Sequence, residues 1–334
     1  MAKKKGWQIL LNALKSLLLP IIVFVFFTLA SGNRFGFHVI PATSRQAAIY
    51  VLLSLAMYVS MQTGGWNFSV GAIVTLTSIM AGLLTLNLNL GLFGLIVLCI
   101  LIATALSTLV GVLCVVFKIP SILVTIGCLM IFESLSAQFN GGMGVTIRGS
   151  LTVLARSPYC YIVALVCLVV VYLLLYKTKL GYDMKAVGTS YLIAKNIGIN
   201  INKTKILAFT VTGLLLGPAT ILYLSNSSRM EPVLEMGSMS LNFTAMIGVF
   251  LGNYISKYCN APIAIFIGVF TMKMLASGLV SIGLPSTVQD IVTGVFLVVF
   301  IGITSNQKKF DQKLEDRKRA KRILERQASA KAAE

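Results

Sequence analysis

Three charged residues, Glu133, Lys273 and Asp290, stand inside apolar runs of this sequence, and in a low-dielectric setting each needs a counter-ion, a hydrogen-bonded cage or a water-lined position. The expected arrangement pairs Lys273 with Glu133 or Asp290. A second group is polar rather than charged: Met61-Gln-Thr-Gly-Gly-Trp-Asn-Phe-Ser-Val-Gly71 interrupts apolar sequence with a glycine pair. Gly64 and Gly65 free the backbone to break a helix, and Asn67 or Ser69 can accept from the unpaired N–H groups of the helix that follows. Trp66 can stack on a ring-shaped solute or serve as an interfacial anchor. Broken helices of this kind present oriented donors within a bilayer. Ser240-Leu-Asn-Phe-Thr244 repeats the pattern, placing Asn242 and Thr244 where Asn67 and Ser69 stand in the first segment.

Other chemistry is missing. There is no G-x-x-x-x-G-K-[ST] run to cradle nucleotide phosphates, so any ATP must be bound by another chain. The one histidine, His38, falls in an expected loop, which leaves no H-E-x-x-H zinc site and no Ser-His-Asp triad. Cys99, Cys114, Cys128, Cys160, Cys167 and Cys259 mostly lie in apolar runs without C-x-x-C spacing and read as small buried hydrophobes. The expectation is a non-catalytic chain with no metal and no cofactor.

The elements that must position these groups follow from composition. The chain is 57% apolar and 11% charged with a mean hydropathy of +0.89, which excludes an ordinary soluble domain. A span takes roughly 20 apolar residues, and candidate spans lie near 16–31, 45–62, 68–86, 92–116, 121–137, 159–176, 204–224, 238–252, 260–281 and 286–305. The first reads as a span rather than a cleaved leader. With the N-terminus inside, 22 of the 28 Lys and Arg fall in cytoplasmic segments and only five on the opposite side, so both termini are expected in the cytoplasm. The +18 net charge is therefore an orientation signal and does not imply nucleic acid. The expected fold is an all-α integral membrane protein of about ten transmembrane helices. Residues 1–305 form the membrane domain and 306–334 a basic cytoplasmic tail suited to anionic lipid headgroups. The Asn67 and Asn242 segments are five spans apart, which can be read as two inverted five-helix repeats.

The longest internal cytoplasmic connection, 177–205, carries Gly181, Gly188 and Gly198 and a short helix-capable stretch, Thr189-Ser-Tyr-Leu-Ile-Ala-Lys195, with Ser190 as its N-cap. Tyr191, Leu192 and Ile197 offer a soluble partner something to grip.

These residues resemble the permease subunits of ribose-, xylose- and galactose-type ABC importers, relatives of the branched-chain amino-acid permeases. Gly65-Trp-Asn-Phe-Ser-Val-Gly71 is similar to that branch's G-x-D-L-S-V-G, with Asn67 in place of the acid. Thr178-Lys-Leu-Gly181, Ala186-Val-Gly188, Ala194 and Gly198-Ile-Asn200 are similar to its cytoplasmic coupling segment, and the likeness runs over about 45–305. After Ala245 the family's glycine-rich stretch is replaced by Gly248-Val-Phe-Leu-Gly-Asn-Tyr-Ile-Ser-Lys-Tyr-Cys-Asn260, a departure that favours a second, non-identical permease over a homodimer. The resemblance implies a subunit in the bacterial cytoplasmic membrane that moves a sugar or similar small polar solute. Its implied partners are a cytoplasmic ABC ATPase, an extracytoplasmic solute-binding protein and a second permease. On this reading Gly64, Gly65, Trp66, Asn67, Ser69, Asn242 and Thr244 line the solute path. Gly181, Tyr182, Lys185, Gly188, Tyr191, Leu192, Ile197 and Gly198 couple to the ATPase. Branched-chain amino-acid or nucleoside import shares the architecture. A secondary transporter or channel is the alternative of another class, with Glu133 and Asp290 as its titratable groups.

Overall fold

The computed structural model describes residues 2–32, 34–285 and parts of 288–302, with side chains from Leu14 onward. A first packed unit ends at Ile282 and a second begins at Gly283. In the first unit the helices are α1 (Ala2–Ala30), α2 (Ile40–Met61), α3 (Val70–Asn87), α4 (Gly91–Phe117), α5 (Ser121–Gln138), α6 (Tyr159–Lys177), α7 (Lys179–Thr189), α8 (Tyr191–Asn196), α9 (Ile201–Ser227), α10 (Met239–Ile255) and α11 (Ala261–Ser281). Two-residue strands, β1 (Val145–Thr146) and β2 (Arg229–Met230), pair antiparallel and clip the loop after α5 to the end of α9. In the second unit the described residues from Val288 on are helical. Residues 286, 287, 290, 297, 300, 301 and 303–305 of the tenth expected span lie outside the described residues, Asp290 thus among them, as does all of the 306–334 tail.

Seven helices among the described residues are long and apolar enough to cross a membrane, and Leu14–Ala30 and Met239–Ile255 are shorter apolar helices. Their packing shows the solvent for which they were built. α6 buries Cys160, Ala164, Cys167, Val171 and Leu175, a single stripe at three- and four-residue spacing. Ile162, Leu165, Val166, Val169, Val170 and Leu173 on the same helix are all exposed. In water that exposure would be an aggregation surface; against lipid tails it has no cost. α2 is the opposite case. Nearly every residue from Ala47 to Ser60 is buried, as expected of a helix surrounded by α6, α9, α10 and α11.

Lipid does not drive helices together as water does, so close packing and interhelical hydrogen bonds must hold them. The tightest seam joins α4 and α9. On α9, Gly213 and Gly217 form a G-x-x-x-G pair against Thr104 and Ile100, where added Cβ atoms would lie 2.6 and 2.7 Å from the facing Cα atoms. Ser107 Oγ donates to the Phe209 carbonyl at 2.6 Å, and Thr108 Oγ1 donates to Thr210 Oγ1 at 3.0 Å. A second seam uses the glycines left in the divergent stretch after Ala245. Gly252 lets α10 approach Ile265 on α11, and Gly268 approaches the Gly248 carbonyl in return.

Candidate functional site

The break foreseen at Gly64–Gly65 is present: α2 ends at Met61, α3 starts at Val70, and Gly64 takes φ +78°. Asn67 and Ser69 are fully buried and bind each other, with Asn67 Oδ1 accepting from the Ser69 N–H at 3.1 Å and from Ser69 Oγ at 2.6 Å. A free N–H in the first turn of α3 is satisfied from elsewhere. Asn242, also fully buried, reaches across from α10: its Oδ1 accepts from the Gly71 N–H at 2.8 Å, and its Nδ2 donates to the Phe68 carbonyl. The two segments that look alike in sequence therefore meet in space. Gly71 makes this meeting possible, since any Cβ there would overlap the Ser238 carbonyl oxygen. Among the described residues, Asn67 Nδ2 and Ser238 Oγ are buried without a partner at this junction.

Glu133 belongs to the same junction. Only 2% exposed, its carboxylate on α5 accepts from the Met236 N–H through Oε2 and from the Ser238 N–H through Oε1, each at 2.9 Å. Glu235 and Met236 hold φ +58° and +62°, a conformation uncommon for non-glycine residues, and Glu133 binds the turn that contains them. The expected ion pair between Glu133 and Lys273 is not formed. Lys273 instead sits 3.1 Å over the Tyr50 ring, and Tyr50 packs edge-on against Tyr223. The quadrupole of this half-buried ring faces the ammonium, while Asp290, the other expected mate of Lys273, lies outside the described residues.

Trp66 is half-buried, stacked at 12° on Phe68 and 5.7 Å from Phe250, so its ring is committed to an aromatic cluster along α10. Thr244 stays out of the junction and bonds its own helix at the Ser240 carbonyl.

The 177–205 connection folds into two helices where the sequence suggested one. Thr178 caps α7 by accepting from the Gly181 N–H, Ser190 caps α8 by accepting from the Ile193 N–H, and Asn200 caps α9 by accepting from the Lys203 N–H. Gly181 sits so close to Leu174 and Leu175 at the α6–α7 corner that no side chain fits. Tyr182, which stays exposed, and Lys185 also close the end of α6: Tyr182 Oη donates to the Tyr176 carbonyl at 2.8 Å, and Lys185 Nζ donates to the Leu175 carbonyl at 3.0 Å while lying 3.9 Å over the Tyr176 ring. Burial holds the Lys185 ammonium below the usual lysine range. Tyr191, Leu192 and Ile197 are exposed, and Gly198 takes φ +81° in open space.

One contact escaped the sequence reading. Gly188, near the end of α7, lies against the carbonyl of Gln62 and the backbone of Gly64, so α7 rests directly on the break between α2 and α3. The buried positions of α7, Gly181, Met184 and Val187, recur every third residue, which was the available sign of a packed helix.

Removing the Asn242 amide tests the junction. Asn242→Leu leaves the Gly71 N–H and the Phe68 carbonyl unpaired in a dry seam, a cost of order 2 kcal/mol. The purified variant should melt several degrees lower, measured by thermal unfolding in detergent, while Asn242→Asp, which keeps the acceptor for Gly71, should recover part of the loss.

Residues 39–301 match the protein family described as branched-chain amino acid transport system / permease component. The chain is 27% identical over 257 residues to the autoinducer 2 import system permease protein LsrC of Enterobacter sp. (strain 638), covering 75% of this chain and 74% of that protein. It is 23% identical over 320 residues to the fructose import permease protein FruG of Bifidobacterium longum (strain NCC 2705), covering 90% and 93%. The LsrC of Yersinia pestis (strain Pestoides F) is 24% identical over 291 residues, 85% of this chain and 82% of that one. No solved structure matches.

Proposed function

Since this chain belongs to the branched-chain amino acid transport system permease family, we propose that it is the membrane-spanning subunit of an ABC importer for a sugar or similar small polar solute. It is a multi-pass protein of the bacterial inner membrane. The relatives named for import of autoinducer 2 and fructose favour a sugar-like cargo over a branched-chain amino acid. ATP hydrolysis belongs to a partner, because this chain carries no phosphate-binding loop. A solute-binding protein delivers cargo from outside, and a second permease, non-identical in view of the stretch after Ala245, completes the pore. Both termini face the cytoplasm, as the basic residues require.

The seating of Gly188 on the Gln62–Gly64 break is the observation that carries the mechanism. The ATPase grips α8 through the exposed Tyr191, Leu192 and Ile197. Its closure on ATP moves α7 and α8, and Gly188 passes that movement to the break. Beyond the break, Asn67 and Ser69 lead into α3, which Asn242 ties to α10. The helices α3 and α10 thus move together at a junction within the membrane, where Asn67 Nδ2 and Ser238 Oγ, unpaired among the described residues, are groups that a solute hydroxyl would meet when the seam opens. Trp66 and the Gly64–Gly65 backbone stand at the inner end of that path.

The docking half of this reading has a direct test. Anchors buried in an interface cost about 1–2 kcal/mol or more each when truncated, so Tyr191→Ala with Leu192→Ala should cut copurification of the ATPase at least about tenfold. Full recovery of the ATPase with this double variant would move the docking surface away from α8.

A further inference from the structure

Beside the break the structure holds a cavity of about 240 Å³. Its walls include the Thr63–Trp66 segment, Ser121 at the start of α5, and Lys205 on α9. Lys205 is half-buried, and among the described residues it has no ion pair and no hydrogen bond; the Cys114 thiol belongs to the same wall. As a wall residue Lys205 brings a positive charge and three hydrogen-bond donors to a cavity whose other wall residues include no acid, so an anion entering it gains a partner without displacing one. Around it stand groups that suit hydroxyls: Ser121 Oγ, the Gly64 and Gly65 backbone and the rim of the Trp66 ring. The volume is below the roughly 300–1,000 Å³ of drug-sized sites, which fits a small polar group. The rim is of another character. Phe117, Ile119 and Ile122 are exposed next to the opening, and so is Lys118 in the α4–α5 turn. On the topology read from the charges, this mouth opens at the inner membrane surface, where basic pockets between helices receive phosphate head groups.

We propose that this cavity is a binding site for a phosphate group bearing a short polyol, held by Lys205 and the hydroxyl-matching wall. The same chemistry is carried by the head group of phosphatidylglycerol and by soluble sugar phosphates. An occupant would be wedged between the α4–α5 turn and the 63–66 segment, against which Gly188 also rests at Gly64. It would therefore brace the contact through which α7 acts and set how readily the break moves. The site goes beyond the transport reading and is tested by binding, so failure of one leaves the other standing.

Trp66 reports occupancy directly. The chain has two tryptophans, Trp7 and Trp66, so Trp7→Phe leaves a single reporter in the cavity wall. The full-length variant is placed in nanodiscs of phosphatidylcholine alone, with phosphatidylglycerol added in one series and glycerol 3-phosphate or glucose 6-phosphate added in solution in another. The expected result is a saturable change in Trp66 emission in at least one series, weakened about tenfold or more by Lys205→Gln, as loss of one charge-assisted contact dictates. Lys205→Arg should retain it, and Lys203→Gln, on the exposed side of α9, should leave it unchanged. A response to phosphatidylglycerol alone identifies a lipid head group; a response in solution identifies a metabolite. Ser121→Ala, which leaves the lysine intact, should weaken the same response more modestly. No saturable change in either series, or a change that survives Lys205→Gln in protein of normal melting behaviour, overturns the proposal.

Discussion

Gly188→Ala should separate ATP hydrolysis from solute uptake. A methyl group at this position would overlap the Gln62 carbonyl oxygen and come within 3.2 Å of the Gly64 nitrogen. Both obstacles are backbone, so neither can rotate aside, and α7 must stand off from the break by on the order of 1 Å, a displacement that close-packed contacts do not absorb. The exposed face of α8 is untouched, so the ATPase still docks and hydrolyses. In proteoliposomes holding the complete transporter, uptake should fall at least about tenfold while ATPase activity stays within about twofold of the parent. Gly127→Ala on α5 is the control: nothing lies within 4 Å of the added atom there, so coupling should persist. Normal uptake by Gly188→Ala would remove the contact from the mechanism.

The second large effect is expected at Glu133. Two charge-assisted hydrogen bonds hold the turn before α10, and truncation to alanine strands the Met236 and Ser238 N–H groups in a buried setting. Hydrogen bonds to a charged group are each worth about 1.5–3 kcal/mol, and the turn also contains the positive-φ residues Glu235 and Met236, which have little intrinsic reason to stay folded. Glu133→Ala should therefore yield markedly less folded protein than Asn242→Leu, measured by monodisperse recovery in detergent and by thermal unfolding. Glu133→Gln keeps one acceptor and should fall between Glu133→Ala and the parent. If Glu133 were instead a proton carrier in a transport cycle, Glu133→Gln would fold normally and lose uptake, and that outcome would count against its role at the turn.

The spans were legible because lipid admits little else: every backbone group must be satisfied within its helix, so an apolar run of sufficient length has few other folds open to it. Caps were legible for a similar local reason. Ser190 starts a helix and the Gly64–Gly65 pair ends one, each within a few residues of its effect. The junction itself was not. Asn242 caps a helix that begins 171 residues earlier in the chain, counted to Gly71, and nothing local in either segment assigns that partner. Glu133 was noticed as a buried acid and given the wrong mate, because its partners are backbone N–H groups, which every residue but proline offers and no sequence singles out. The place of Lys273 over the Tyr50 ring was no more legible, since an aromatic ring is an inconspicuous counter-charge; its other expected mate, Asp290, lies outside the described residues. α7 was taken for part of a loop on account of its glycines, yet Gly181 and Gly188 are where the helix touches α6 and the break. They mark close approach rather than slack.

The central claim is that this chain is moved by ATP hydrolysis in a partner and carries solute only as that partner cycles. Purified chain should be reconstituted into sealed vesicles with a radiolabelled sugar that its binding protein retains, first alone and then with the second permease, the ATPase and the loaded binding protein. The account predicts no flux from the chain alone and accumulation against a gradient from the full set, dependent on ATP. Sustained uptake by the chain alone, driven by an ion or solute gradient, would contradict it.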